Sequence, residues 1–86
     1  MTTLKVGLGR AVARLRRAAG YSQEGFALAC KVHRTYMTGI ETGKHNVSLE
    51  ILERVAKGLR LDTGQLLTEA EREKRASSTR PEVKQQ

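Results

Sequence analysis

The run from Tyr21 to Gly43 constrains the fold of this chain more than any other segment, because it predicts two short helices joined by a tight turn. Ser22 can cap the first helix by accepting a hydrogen bond from a free backbone N–H group. Ala27 stands where two helices that cross at a steep angle need a small side chain. The apolar side of the second helix is supplied by Val32, Met37 and Ile40.

The opposite side of that second helix carries Arg34, Thr35 and Thr38. These side chains are of the donor and acceptor types that read base edges in the major groove of DNA. Two helices with a small residue at their crossing and polar side chains on the second form the helix-turn-helix pattern. The sequence therefore predicts that this second helix reads DNA.

The charge balance agrees with that prediction. The chain has 86 residues, 16 Lys and Arg against 9 Asp and Glu, and a net charge of +7. Residues 1–47 contain eight basic and two acidic residues, so the excess lies in the half that holds the helix pair. A clustered basic excess is typical of proteins that bind polyanions. Solubility explains the charge about as well, so the charge supports DNA binding only together with the motif.

Helical periodicity extends along most of the chain and predicts a compact, all-α domain of five helices. Helix one presents Leu8, Val12, Leu15 and Ala19 on one face and ends at Gly20. Helices two and three cover about residues 23–30 and 34–42. Ser48 is expected to cap helix four, and Asp62 to cap helix five. The apolar stripe of helix four consists of Leu49, Leu52, Val55, Ala56 and Leu59.

Apolar residues almost vanish after residue 70. We expect a helix-turn-helix domain over residues 1–69 and a charged extension over residues 70–86. Opposite charges allow helix five to continue a turn or two past Ala70, and the run from Ser77 to Pro81 should then break it. The last residues bury too little apolar surface to offset ordering, so the extension is expected to be largely disordered.

Several classes of protein are disfavoured by the sequence. No apolar run reaches the ~18 residues of a membrane span, and Lys5 and Arg10 interrupt any secretory segment, so a cytoplasmic location is expected. Cys30 is the only cysteine, which excludes an intrachain disulfide.

The three residues that could bind zinc, Cys30, His33 and His45, lack a fourth ligand with suitable spacing. We expect no metal, no cofactor and no enzymatic activity.

The segments Ser22–Ala27, Arg34–Gly43 and Val47–Leu49, with a leucine-rich helix after them, resemble the phage-repressor-like helix-turn-helix family (lambda repressor/Cro, XRE-type). Within that family, the Arg-Thr-Tyr opening of helix three is similar to the controller proteins of restriction–modification systems. The resemblance implies a five-helix domain that binds operator DNA, often as a symmetric dimer, and regulates transcription.

The resemblance also assigns roles to single residues. It places Arg34, Thr35 and Thr38 at base-reading positions. It pairs Arg16 with Glu41 in an ion pair between helix one and the end of helix three. Phosphate contacts are expected from Ser22, Gln23, Tyr36, Lys44, His45 and Asn46, although Gln23 can instead brace a reader and the last three can form a solvated loop.

Two positions depart from the family pattern. Lys31 stands where many members have Gly in the turn, so we expect Lys31 to adopt a positive φ. Gly39 stands where some members have a long reading side chain, so this chain should read fewer bases directly. A group of four leucines is assigned to the dimer interface, and part of it is also expected to complete the core; it consists of Leu59, Leu61, Leu66 and Leu67.

The leading functional hypothesis is a sequence-specific transcriptional regulator that binds a palindromic operator in double-stranded DNA as a homodimer. A restriction–modification controller is its narrower form, and RNA polymerase is then a candidate protein partner. The alternative is a protein-interaction module, such as the antitoxin of a toxin–antitoxin pair, with the toxin as its partner.

Overall fold

The computed structural model describes the backbone of residues 3–84 and the side chains of residues 3–76. Over this part of the chain there are five α-helices and no strand. The helices are α1 (Leu4–Ala18), α2 (Gln23–Cys30), α3 (Arg34–Glu41), α4 (Leu49–Gly58) and α5 (Thr63–Lys84). The five-helix, all-α fold expected from the sequence is confirmed.

Hydroxyl side chains begin three of the helices. The backbone N–H of Gly25 donates to Ser22 Oγ over 2.9 Å, and that of Ile51 donates to Ser48 Oγ over 3.1 Å. Thr3 caps α1 in the same way, with 3.3 Å between its Oγ1 and Val6 N. Each bond satisfies a backbone donor that a helix start otherwise leaves free. The caps predicted at Ser22 and Ser48 are confirmed.

The turn between α2 and α3 contains Lys31 in the left-handed region, at φ 60° and ψ 43°. This confirms the positive φ predicted for Lys31. The conformation lets the N–H groups of Lys31 and Val32 reach the carbonyls of Leu28 and Ala27, over 3.1 and 2.9 Å. A left-handed C-terminal residue commonly ends a helix in this way, so the turn is tight although it has no glycine.

The core lies where α1 to α5 meet around Phe26. Ala27, at the crossing of α2 and α3, is 2 % exposed, which confirms the small buried residue predicted there. Cys30 is likewise buried at 3 %. The largest fully buried side chains are Phe26, Met37, Ile40, Leu66, Val12 and Val55. Aliphatic residues therefore fill most of the interior, as the low aromatic content predicts.

Helix α1 packs between α3 and α5, and two glycines permit the close approach. A Cβ added at Gly7 would collide with the carbonyl oxygen of Ala70 on α5. A Cβ added at Gly9 would collide with the carbonyl oxygen of Ile40 on α3 and lie 2.8 Å from that of Glu41. The two helix contacts thus depend on bare backbone at positions 7 and 9, and they fix α3 relative to the rest of the domain.

Helix α5 differs from its expected form. The boundary expected between residues 69 and 70 falls inside this helix, because Ala70 is completely buried and Arg14 of α1 pairs with both Glu69 and Glu73, over 2.8 and 2.7 Å. The helix also continues to Lys84 through the expected break at Ser77–Pro81. Residues 70–76 therefore form part of the packed domain rather than a disordered extension. The end of that extension, residues 85–86, lies outside the described residues.

The four leucines assigned to a dimer face differ in how deeply they are buried. Leu66 is completely buried and belongs to the core, which corrects its assignment to an interface. Leu59, Leu61 and Leu67 are partly buried and pack against the core. Only these three retain accessible apolar surface within the group. None of the described helices combines the length and the hydropathy that crossing a membrane requires.

Candidate nucleic-acid interface

Helix α3 has one buried and one exposed side. Met37 and Ile40 are 0 % and 2 % exposed, which fixes the rotation of the helix on the core. Arg34, Thr35 and Thr38 project from the exposed side. The three predicted base-reading residues are therefore together on one accessible surface, since positions three and four apart share a helix face.

The hydroxyl of Thr38 is held in place from α2. Its Oγ1 lies 2.9 Å from Gln23 Oε1 and 3.1 Å from the carbonyl oxygen of Arg34, so its single proton has two alternative acceptors. The amide nitrogen of Gln23 donates to Glu41 Oε1 over 3.1 Å. Gln23 thus braces a predicted reader, although its amide keeps a second N–H.

Glu41 in turn pairs with Arg16 of α1. The distances are 2.7 Å from Arg16 Nε to Glu41 Oε2 and 3.1 Å from Nη2 to Oε1. The two side chains are 9 % and 7 % exposed, and Arg16 Nη1 also donates to the carbonyl of Tyr21 over 2.9 Å. This confirms the expected ion pair between α1 and the end of α3. Its bidentate geometry ties the orientation of α3 to the interior of the domain.

The loop after α3 folds back over Gly39. The N–H groups of Lys44 and His45 both donate to the Gly39 carbonyl, over 2.9 and 3.2 Å. The His45 ring covers the Gly39 Cα so closely that an added Cβ would lie 2.5 Å from His45 Cδ2. An imidazole from the loop therefore occupies the space that a side chain at position 39 would need.

Tyr36 anchors the same loop. Its hydroxyl donates to the carbonyl of Asn46 over 3.1 Å, and its ring meets that of His45 edge-on with centroids 4.8 Å apart. Asn46 Oδ1 lies 3.5 Å from Lys5 Nζ, which brings a cation of α1 to the loop. The loop residues Lys44, His45 and Asn46 are thus arranged beside α3 rather than extended into solvent.

The N-terminus of α2 opens toward the same side of α3, as the Gln23–Thr38 contact requires. Ser22 Oγ accepts from Gly25, so this hydroxyl serves the helix first. Its own proton remains available to an acceptor. A helix N-terminus also carries a partial positive charge that favours phosphate.

Part of the basic excess is neutralised within the protein. Arg14 bonds to Glu69 and Glu73, and these hydrogen bonds raise the pKa of its guanidinium above the ordinary value. Arg16 is bound by Glu41. The cations on the α3 side are instead Arg34 and Lys44, both exposed, with Lys5 beside the loop. The carboxylates of Glu69 and Glu73 come from outside residues 1–47, so their pairing with Arg14 reduces the basic excess that the sequence assigns to that half.

The sequence interpretation missed His33 as a structural element of this surface. The residue is the N-cap of α3, and its Nδ1 accepts from the N–H of Thr35 over 3.2 Å. Its position just before Arg34 was a usable signal, because every helix start needs an acceptor there. It was overlooked because Ser, Thr, Asp and Asn are the preferred cap residues.

The remaining candidates for chemistry are accounted for by packing. Cys30 is buried beneath Gly58, where an added Cβ would lie 2.7 Å from its Sγ, and this burial raises the pKa of the thiol to about 11. Among the residues that the structure describes, no three His, Cys, Asp or Glu side chains are grouped to hold a metal ion.

Comparison with known proteins places this geometry in a family. Residues 7–70 match the sequence profile of a helix-turn-helix domain. The control protein C.MunI of Mycoplasma sp is 38 % identical over 74 residues, covering 85 % of this chain and 100 % of the relative. The control protein C.BamHI of Bacillus amyloliquefaciens is 37 % identical over 65 residues, covering 74 % and 80 %.

A solved structure agrees with these relatives. The restriction–modification controller protein C.AhdI from Aeromonas hydrophila superposes with a TM-score of 0.68 at 36 % identity, covering 71 % of this chain and 92 % of that one. The residues that match the profile include both α2 and α3. The chain therefore belongs to the phage-repressor-like, XRE-type helix-turn-helix family of DNA-binding regulators.

Proposed function

We propose that this chain is a sequence-specific transcriptional regulator that binds a palindromic operator as a homodimer, and that it is a restriction–modification controller protein. The observation that carries the proposal is the bracing of Thr38 by Gln23, next to the exposed Arg34 and Thr35. A polar face held in place before binding favours base readout over general solubility. The likeness to C.MunI supports the controller assignment.

Arg34 is the principal base reader in this proposal. Its guanidinium lies at the start of α3, the end of a recognition helix that contacts base edges. The planar fork matches O6 and N7 of guanine in the major groove. Thr35 and Thr38 add weaker contacts, because the Thr38 hydroxyl already has partners in Gln23 and Arg34 within the protein and a threonine methyl group packs against thymine.

Phosphate groups are held on either side of the reading helix. On one side is the N-terminus of α2, with Ser22 and Gln23. On the other is the loop of Lys44, His45 and Asn46, which Tyr36 keeps against α3. Contacts of this kind position a protein on the duplex without reading its sequence.

The dimer places two α3 helices in successive major grooves, with half-sites ~34 Å apart. Its interface consists of the accessible surface of Leu59, Leu61 and Leu67. These leucines lie in or near the α4–α5 connection along the chain, and each packs only partly against the core. Association hides apolar surface that a monomer leaves exposed.

Selection of bound fragments from a random duplex pool tests the proposal directly. A regulator enriches a palindrome with two half-sites separated by about one helical turn. Recovery of fragments without any sequence preference contradicts the regulator hypothesis and favours a protein-interaction module such as an antitoxin.

Two variants separate base reading from phosphate binding on the selected duplex. Arg34→Ala should weaken binding by ~1–3 kcal/mol and relax preference at one base position. Lys44→Ala should weaken cognate and random duplexes alike and make the salt dependence shallower. If Arg34→Ala lowers both affinities equally, Arg34 contacts the backbone and the assignment of the reader fails.

Sedimentation at tens of micromolar tests the interface. Leu61→Glu should convert the dimer to a monomer, because the carboxylate loses its hydration when the apolar faces meet. Leu28→Glu is the matched control, since Leu28 on α2 is 81 % exposed and lies outside the proposed interface. A wild type that is monomeric under these conditions points to assembly on DNA instead.

A further inference from the structure

The N-cap of α3 differs in chemistry from the other caps described in this chain. Thr3, Ser22 and Ser48 cap α1, α2 and α4 with hydroxyl groups. Helix α3 is capped by an imidazole, with 3.2 Å between His33 Nδ1 and the nitrogen of Thr35. Among these four helices, the proposed recognition helix alone depends on a cap that can gain a proton.

A neutral and a charged imidazole behave in opposite ways at this position. Nδ1 can accept a hydrogen bond only while it carries a lone pair, and in the imidazolium both ring nitrogens are donors. Imidazole side chains change charge between about pH 5 and 8. An imidazolium at a helix N-terminus also meets the positive end of the helix dipole. Protonation therefore removes the acceptor and adds a repulsion.

The charged groups around the turn do not compensate for an imidazolium. Lys31 and Arg34 flank His33 along the chain. From α4, Arg54 donates to the carbonyl of Lys31 over 3.1 Å and pairs with Glu50, also over 3.1 Å. Glu50 is thus engaged by Arg54, and no described carboxylate forms an ion pair with His33.

We propose that His33 is a positioning residue for DNA recognition, which fixes the first turn of α3 when neutral and releases it when protonated. The first turn carries Arg34 and Thr35, so the cap acts on both readers through the backbone. The inference rests on the proposed function. Its consequence is a ratio of cognate to random affinity that falls as the pH is lowered, while the added positive charge slightly favours any DNA.

The first test uses the free protein and needs no operator. NMR spectra from pH 8 to pH 5 should show the Thr35 amide signal shifting together with the ring signals of His33. In His33→Ser that dependence should vanish, because a hydroxyl caps at any pH. The backbone at His33, φ −62° and ψ 143°, resembles that at Ser22 and Ser48, so serine fits there. A Thr35 amide that does not follow His33 overturns the proposal.

The second test measures affinity for the selected duplex and for random DNA at each pH. In the wild type the ratio of the two should fall at low pH, by about fivefold for loss of a typical cap. His33→Ser should remove this fall, and His33→Ala should show the reduced ratio at every pH. His45→Gln tests the other histidine. It should weaken binding to both duplexes, because His45 lies among the proposed phosphate contacts, but the ratio of the two affinities should still fall at low pH.

An unchanged pH dependence in His33→Ser, or its loss in His45→Gln, overturns the proposal. Failure of the proposed function is distinguishable, because it leaves no sequence preference at any pH. The Thr35 titration then still decides whether His33 is a proton-sensitive cap.

Discussion

At the scale of single residues, the pair of Arg16 and Glu41 is the clearest case in which charge maintains the fold. Arg16→Met should lower the free energy of unfolding by ~3–5 kcal/mol, because Glu41 is left as a buried charge with only the Gln23 amide as partner. Urea denaturation measures the effect. An unchanged midpoint would contradict the assigned role.

A matched control and a double variant locate the cause. Arg17→Met changes the neighbouring, exposed arginine and should alter stability by less than ~0.5 kcal/mol. Replacing Arg16 by Met and Glu41 by Leu together should be less harmful than Arg16→Met alone, since no unpaired charge remains. A double variant that is the less stable of the two would mean that Glu41 stabilises the protein through partners other than Arg16, such as the Gln23 amide.

Cys30 gives a pH dependence whose sign follows from its burial. The pKa of its thiol is raised from 9.0 to about 11, so the unfolded chain loses this proton at a lower pH than the folded protein. The stabilising contribution is complete below pH 9 and is lost as the pH rises toward about 11. Cys30→Ala should lack this component of the pH profile.

Alkylation of Cys30 offers an independent measurement. Native protein at pH 9 should react with iodoacetamide far more slowly than urea-unfolded protein, because the thiolate is the reactive form. Equal rates in the two states would contradict the burial of the thiol.

At the scale of helices, the contact between α1 and α3 depends on Gly9. Gly9→Ala should lower the free energy of unfolding by ~1–3 kcal/mol, since the new methyl group collides with backbone carbonyls that cannot rotate away. Gly64→Ala is the control, because no atom lies within 4 Å of a Cβ there and alanine is the better helix former. A melting temperature that is higher for Gly9→Ala than for Gly64→Ala would contradict the dependence of the α1–α3 contact on Gly9.

Local signals predicted most helices because their ends are determined locally. Ser22, Ser48 and Gly20 mark helix ends through bonds and conformations that involve only near neighbours. The extent of α5 could not be predicted in this way. Its charges are typical of a solvated segment, and their partner Arg14 lies 59 positions from Glu73 along the chain. Only the folded arrangement shows that these charges face α1.

At the scale of the whole molecule, two truncations test where the domain ends. A chain that stops after Ala76 should keep the stability of the full chain. It retains the buried Ala70 and both carboxylates that bind Arg14, those of Glu69 and Glu73. A chain that stops after Thr68 loses all three and should be less stable by about 2 kcal/mol. Equal melting temperatures of the two truncated chains would restore the boundary expected near residue 69.

The location of the candidate site was predictable, but its internal order was not. Arg34, Thr35 and Thr38 follow from helical spacing, since their side is opposite to Met37 and Ile40. The bracing amide of Gln23 and the His45 ring over Gly39 depend on contacts between separate elements. Side-chain torsions of this kind are set by tertiary packing, which periodicity does not encode.

The link from Gln23 to Thr38 has an entropic consequence for the proposed complex. Folding has already restricted the torsions of both side chains, so binding at Thr38 should forfeit little additional conformational freedom. Arg34 is exposed and must still select one rotamer when it meets a base. In the proposed complex, Thr38 would therefore bind with the side-chain conformation that it already has, whereas Arg34 would adopt its bound conformation only on contact with a base. Loss of motion on binding should accordingly be concentrated at the arginine.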